Sequence, residues 1–188
     1  MVKTIKPAII MLLALTFITG VLYPLLVTLA AQTFFPAQAN GSLVTVDGVV
    51  VGSSLIGQMN TDPRYFWPRP SATGYDPLPS GGSNLGPTSV TLQEFAARRA
   101  LDFRAANGLA ENIVVPADMV FASGSGLDPH ISPAAARLQI NRVAAARGIT
   151  REQVAALVEQ YVESPQFGFL GQPRVNVLLL NLALDRLQ

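Results

Sequence analysis

Between Lys6 and Asp47 the chain carries no formal charge, and most of that interval is apolar. The core of the interval, Ala8 to Ala31, holds about 24 residues, roughly 36 Å as an α-helix at ~1.5 Å per residue. That length crosses a hydrocarbon layer of about 30 Å with some tilt, so the segment predicts a membrane span. Both lysines, Lys3 and Lys6, precede it, and every later base is arginine. By the positive-inside tendency, residues 1–7 are expected in the cytoplasm, 8–35 in the bilayer and 36–188 on the far side. Ala37-Gln38-Ala39 resembles a signal-peptidase site, but the apolar stretch exceeds the 7–15 residues of a secretory signal core, which favours an uncleaved anchor.

Within the span, Thr16, Gly20, Pro24, Thr28 and Gln32 recur at every fourth position. Such positions drift only about 40° per step around an α-helix and make one slowly winding stripe. In lipid, small and polar residues let a second helix approach closely and share hydrogen bonds, so the stripe is expected to face a partner helix. Pro24 is expected to bend the helix.

The remaining chain reads as one α+β domain of ordinary size. Leu43–Gly57 places β-branched runs either side of Asp47-Gly48, a tight-hairpin signal. Tyr65–Ser89 is too rich in proline and glycine for a helix or a central strand. Its aromatic residues argue for an ordered loop. Arg64, Tyr65, Trp67, Arg69 and Tyr75 suit a protein interface, while the rings suit equally well a role in pinning the loop to its own domain. Thr91 with Glu94 suggests a capping box opening a helix that ends at Asn107-Gly108, with Arg99 amid its apolar face. Asn112–Ala122 reads as one or two short strands broken by Pro116. A helix capped by Ser132, with Pro133 in its first turn, is expected to close at Gly148. Another opens at Thr150 with Gln153, and Val175–Asp185 reads as an apolar terminal helix too short to span a bilayer. The expected total is a small sheet and about four helices.

The chemistry legible in the residues is sparse. With 13 Lys+Arg against 12 Asp+Glu, no basic footprint for nucleic acid exists. Zero cysteines and one histidine leave little for a zinc or iron–sulfur centre, and no metal site is expected. The glycine-rich segments Ser80–Gly86 and Ser123–Gly126 lack the lysine of a phosphate-binding loop. Asp128 and His130, with Ser132, sit too close in sequence to form a catalytic relay by proximity alone and are expected to order the turn before the Ser132 cap. No catalytic residue is assigned. A stand-alone membrane-anchored hydrolase or solute-binding protein, using Tyr65–Ser89 with Asp128 and His130, is the competing reading.

Three blocks in order, YFWPRPSATGYDPLPSGGSNLGPTS, SGSGLDPHISPAAARLQINRVAAARG and VNVLLLNLALD, follow a single span containing GVLYPL. Together they resemble the C subunit of the bacterial Kdp potassium-transporting ATPase. The resemblance implies an accessory, non-catalytic subunit working beside a channel-like potassium-binding subunit, a P-type ATPase subunit and a small single-span subunit. It further implies a catalytic chaperone that raises the ATPase subunit's affinity for ATP, with the exported domain over the channel's outer entrance. ATP and potassium then act at the level of the complex, and no directly bound cofactor is expected. An exported domain cannot touch cytoplasmic ATP, so that effect has to travel through the complex. Asp62 and Asp76 could raise the local cation concentration at such an entrance.

Overall fold

The computed structural model describes residues 2–187 and divides into two compact units, Met1–Val51 and Gly52–Gln188. The first unit is the span followed by most of a hairpin. Helix α1 (Val2–Phe17) runs into a π-helical turn (Ile18–Leu22), then α2 (Tyr23–Phe34) and a short α3 (Pro36–Ala39). Thr4–Phe34 is one stretch of 31 residues with mean hydropathy 2.3, long and apolar enough to cross a membrane. The π turn ends immediately before Tyr23-Pro24. Proline has no N–H to give the carbonyl four residues back and its ring clashes with it, so widening that turn accommodates the misfit.

The widened turn also bears on the polar stripe. Positions four apart over-rotate in an α-helix, while a π turn takes up about one extra residue. The step from Thr16 through Gly20 to Pro24 therefore loses part of its drift. Thr19 and Thr33 bond back to the carbonyls of Leu15 and Leu29, each at 2.7 Å, which lets a hydroxyl sit in lipid without an unmet donor. The hairpin β1 (Leu43–Val46) and β2 (Val49–Ser53) turns at Asp47-Gly48, both at positive φ as that dipeptide predicts.

The second unit is the α+β domain. Helix α4 (Val90–Asn107) is followed by a one-turn α5 (Ala117–Val120) and strand β3 (His130–Ile131). Helices α6 (Pro133–Arg147) and α7 (Arg151–Gln160), strands β4 (Val162–Glu163) and β5 (Arg174–Asn176), and helix α8 (Val177–Asp185) complete it. The three short strands form an antiparallel sheet in the order β3-β5-β4, with Ile131 and Val162 both opposite Val175. Its buried face, with Ile131 and Val175, joins Val143, Val154, Val158, Leu180 and Leu184 in a core that completely encloses Phe66.

Two helix caps match the sequence reading. Ser132 accepts from Ala135 N–H and α6 ends on left-handed Gly148, while Thr150 and Gln153 make the full capping box of α7. Two expectations need correction. Helix α4 is capped by Ser89, whose hydroxyl accepts from Leu92 N–H, so it starts before Thr91, and Thr91–Glu94 is not its capping box. Asn112–Ala122 forms no strand: Pro116 ends the β-branched run and serves as the N-cap of α5. A β-branched run needs a strand edge to pair with, and the central strand β5 of the small sheet is already paired on both sides, by β3 and β4.

Candidate functional site

Tyr65–Ser89 contains no helix or strand, as its composition requires, and its start is fixed by side chains from two helices. Six consecutive carbonyls, Asp62 to Trp67, each accept a side-chain hydrogen bond. Asp62 O receives Trp67 Nε1 (3.0 Å). Arg142 gives Nη1 to Pro63 O (2.7 Å) and Tyr65 O (2.9 Å), and Arg147 Nε reaches Arg64 O (2.7 Å). The amide of Asn181 pairs with both N–H and C=O of Phe66, at 2.8 and 3.0 Å. Gln139 does the same for Trp67, at 2.7 and 3.3 Å. Two side-chain amides thus stand in for a neighbouring strand, which is how a backbone without ladder partners can be buried.

Arg142 is the centre of this arrangement. Besides the two carbonyls it donates to Asn107 Oδ1 (3.0 Å) and Gln139 Oε1 (2.7 Å), and its guanidinium lies 4.1 Å from the centroid of a Trp67 ring. It is 9% exposed and its bonded acceptors are all neutral. Burial pulls its pKa down to about 10, with Asp62 opposing, so the charge persists at neutral pH. Tyr65 lies against the guanidiniums of Arg147 (4.6 Å) and Arg64 (5.9 Å), while Arg147 pairs with Asp185 at 2.6 Å. Hydrogen bonds from Arg64 hold the Asp62 carboxyl down to about 2.

A second cluster joins the first loop to Ser123–Pro129. Arg69 pairs with Asp128 at 2.8 Å, and Tyr75 donates its hydroxyl to Arg69 O. Burial pushes the Tyr75 hydroxyl up to about 12. Ser123 N–H bonds Pro70 O, and Gly81 N–H bonds Ser125 O. Gly126 has φ +73°, and a Cβ there would lie 2.9 Å from Gly81 O, so glycine is required on both counts. Asp128 also accepts from His130 N–H (2.9 Å), and His130 Nδ1 lies 3.4 Å away. Ser132 caps α6 and is itself held by Asp118, at 2.6 Å from its N–H and 3.2 Å from its hydroxyl. Arg69, Asp118, Asp128, His130, Ser132 and Arg174 border an open cleft of about 730 Å³.

Burial raises the Asp128 pKa, but the bonds from His130 and Arg69 outweigh it and leave the value at about 2. A carboxyl depressed in the folded state stabilises above its ordinary 3.8, and that contribution fades as pH falls towards about 2. Asp128→Asn is therefore expected to lower the urea midpoint at neutral pH. The gap from the wild type should close between pH 3.8 and about 2. A gap that stays constant with pH would remove this assignment.

The structure places Arg64, Tyr65, Trp67, Arg69 and Tyr75 along one loop, each with a partner in the domain. Asp76 caps its own turn, accepting Leu78 N–H at 2.9 Å. In the span, the Gln32 amide pairs with Asn40 at 3.1 and 3.3 Å. The sequence reading missed Gln139, Arg142, Arg147 and Asn181. The signal was present: Asn181 interrupts an otherwise apolar helix, and Gln139 and Arg142 flank Ile140 and Val143, the core face of α6. A polar residue in such a place needs a buried partner.

Comparison with known proteins covers both units together. The family described as K+-transporting ATPase, c chain, matches residues 5–186. The chain belongs to the KdpC family. A "Potassium-transporting ATPase KdpC subunit" from Methylococcus capsulatus is 56% identical over the full length of both chains. The protein of the same name from Gemmatimonas aurantiaca is 55% identical over all of this chain and 94% of its own. That from Sorangium cellulosum is 55% identical over 98% of each. Among the described residues no group of three or more His, Cys, Asp or Glu side chains is placed to hold a metal.

Proposed function

We propose that this KdpC-family chain is the accessory subunit of an ATP-driven, high-affinity potassium-uptake complex. In this reading it carries no catalysis of its own. Its partners are a channel-like potassium-binding subunit, a P-type ATPase subunit and a small single-span subunit. The match to potassium-transporting ATPase KdpC subunits across span and domain alike is the observation that carries the reading.

Residues 1–7 lie in the cytoplasm, 8–35 cross the inner membrane and 36–188 lie outside. Thr16, Gly20, Pro24, Thr28 and Gln32 form the face that packs on a partner helix, supported by the widened turn at Ile18–Leu22. Arg64, Tyr65, Trp67, Arg69 and Tyr75 shape the partner-facing loop, and Asp128, His130 and Ser132 hold the neighbouring turn rigid. The loop's internal anchoring suits it to docking, because a preordered segment loses little freedom on binding.

Its effect on ATP is that of a catalytic chaperone acting at a distance. The domain has no lysine to meet a phosphate, and a domain outside the membrane has no access to cytoplasmic ATP. Higher ATP affinity then has to come from a shift between states of the assembled pump. The test is ATP hydrolysis by the complex purified with and without this chain. Half-saturation is expected at lower ATP with the chain present, and equal values would remove the reading.

A further inference from the structure

Pro165–Pro173 links β4 to β5 as a tight, uncharged hairpin tip, PQFGFLGQP. Gln166 and Leu170 exchange both backbone bonds, at 3.0 and 2.9 Å, and left-handed Phe167 and Gly168 make the turn. The tip presents Phe167 at 87% exposure, Phe169 at 75% and Leu170 at 50%. The flanking charges, Glu163 and Arg174, are paired with each other at the base, 2.8 Å apart. An apolar tip of this kind is normally covered.

From these observations we infer that the hairpin inserts its two phenylalanines into the interfacial region of a lipid bilayer. Lipid is favoured over a protein groove by the state of the backbone. Four of the tip's seven N–H groups, those of Gln166, Gly168, Phe169 and Leu170, bond within it, which lowers the cost of entering a medium without hydrogen-bonding partners. No charge has to be stripped of water along the nine residues. The same chain carries a helix long and apolar enough to cross a membrane, so the full chain meets lipid. The tip would act as a second, shallow foothold of the domain on the membrane.

The absence of cysteine makes every introduced thiol unique. The full chain is reconstituted in vesicles of phosphatidylcholine and phosphatidylglycerol, with a nitroxide on Gln166→Cys or Phe169→Cys. Collision with oxygen and with a water-soluble nickel chelate is then measured. Exposed Glu111→Cys supplies the aqueous reference and Leu25→Cys the lipid reference. Labels at 166 and 169 are expected to favour oxygen over nickel, towards the Leu25 value. Adding Phe167→Ser and Phe169→Ser to Gln166→Cys should return that label to the Glu111 value. Labels at both 166 and 169 as open to nickel as the Glu111 label would overturn the inference. Labels shielded from both reagents would overturn it too, by showing that protein covers the tip.

Discussion

Replacing Arg142 by methionine is expected to cost the domain several kcal/mol, because hydrogen bonds made by a charged group contribute about 1.5–3 kcal/mol each. Methionine keeps much of the volume and removes four hydrogen bonds to Pro63, Tyr65, Gln139 and Asn107. Gln139 Oε1 keeps its bond from Trp67 N–H, but the buried Asn107 Oδ1 loses its donor, and a buried acceptor without a donor costs about 1–3 kcal/mol. Against a total stability of about 5–15 kcal/mol, that is a large fraction. Arg142→Lys should recover only part of the loss, because an ammonium cannot reach several planar acceptors as a guanidinium does. Trp67 reports on the site directly through its contact with Arg142. Urea unfolding followed by its fluorescence measures the effect. A midpoint for Arg142→Met within error of the wild type would show that the network is not a stabilising element.

Phe66→Ala is expected to have a comparable effect through a different mechanism. Phe66 is fully buried, and truncating such a ring costs about 3–5 kcal/mol from lost transfer energy and the cavity left behind. The backbone of residue 66 would remain held by Asn181, so the variant separates ring packing from segment anchoring. Phe66→Leu should restore much of the stability, and failure to do so would mean that the ring's shape matters more than its volume. Equal stability of Phe66→Ala and the wild type would contradict the placement of this ring in the core.

The parts of the fold legible in the sequence are those set by local chemistry. The α6 and α7 caps, the left-handed glycine after α6 and the Asp47-Gly48 turn each follow from two or three adjacent residues. The span follows from a charge-free apolar run. What escaped depends on distant partners. Two- and three-residue strands carry too little periodicity to register, and β5 runs directly into α8, so Val175-Asn176 reads as the start of a helix. Ser89 and Thr91 offer similar hydroxyls, and which one caps α4 depends on where the preceding loop delivers the chain. The candidate loop residues were visible as a cluster of rings and arginines. Their anchoring was not, because it comes from Gln139, Arg142 and Asn181, more than 70 positions away.

In the proposed function a domain outside the membrane tunes a nucleotide site inside it. The most direct measurement is an ATP titration of the purified, reconstituted pump in three forms: with the full chain, without it, and with a chain ending at Val51, where the first compact unit ends. The lowest half-saturating ATP concentration is expected with the full chain. Loss of the domain alone should raise it by at least about fivefold, the lower end of ordinary allosteric coupling. The same half-saturation in all three forms would show that the domain does not act on the nucleotide site.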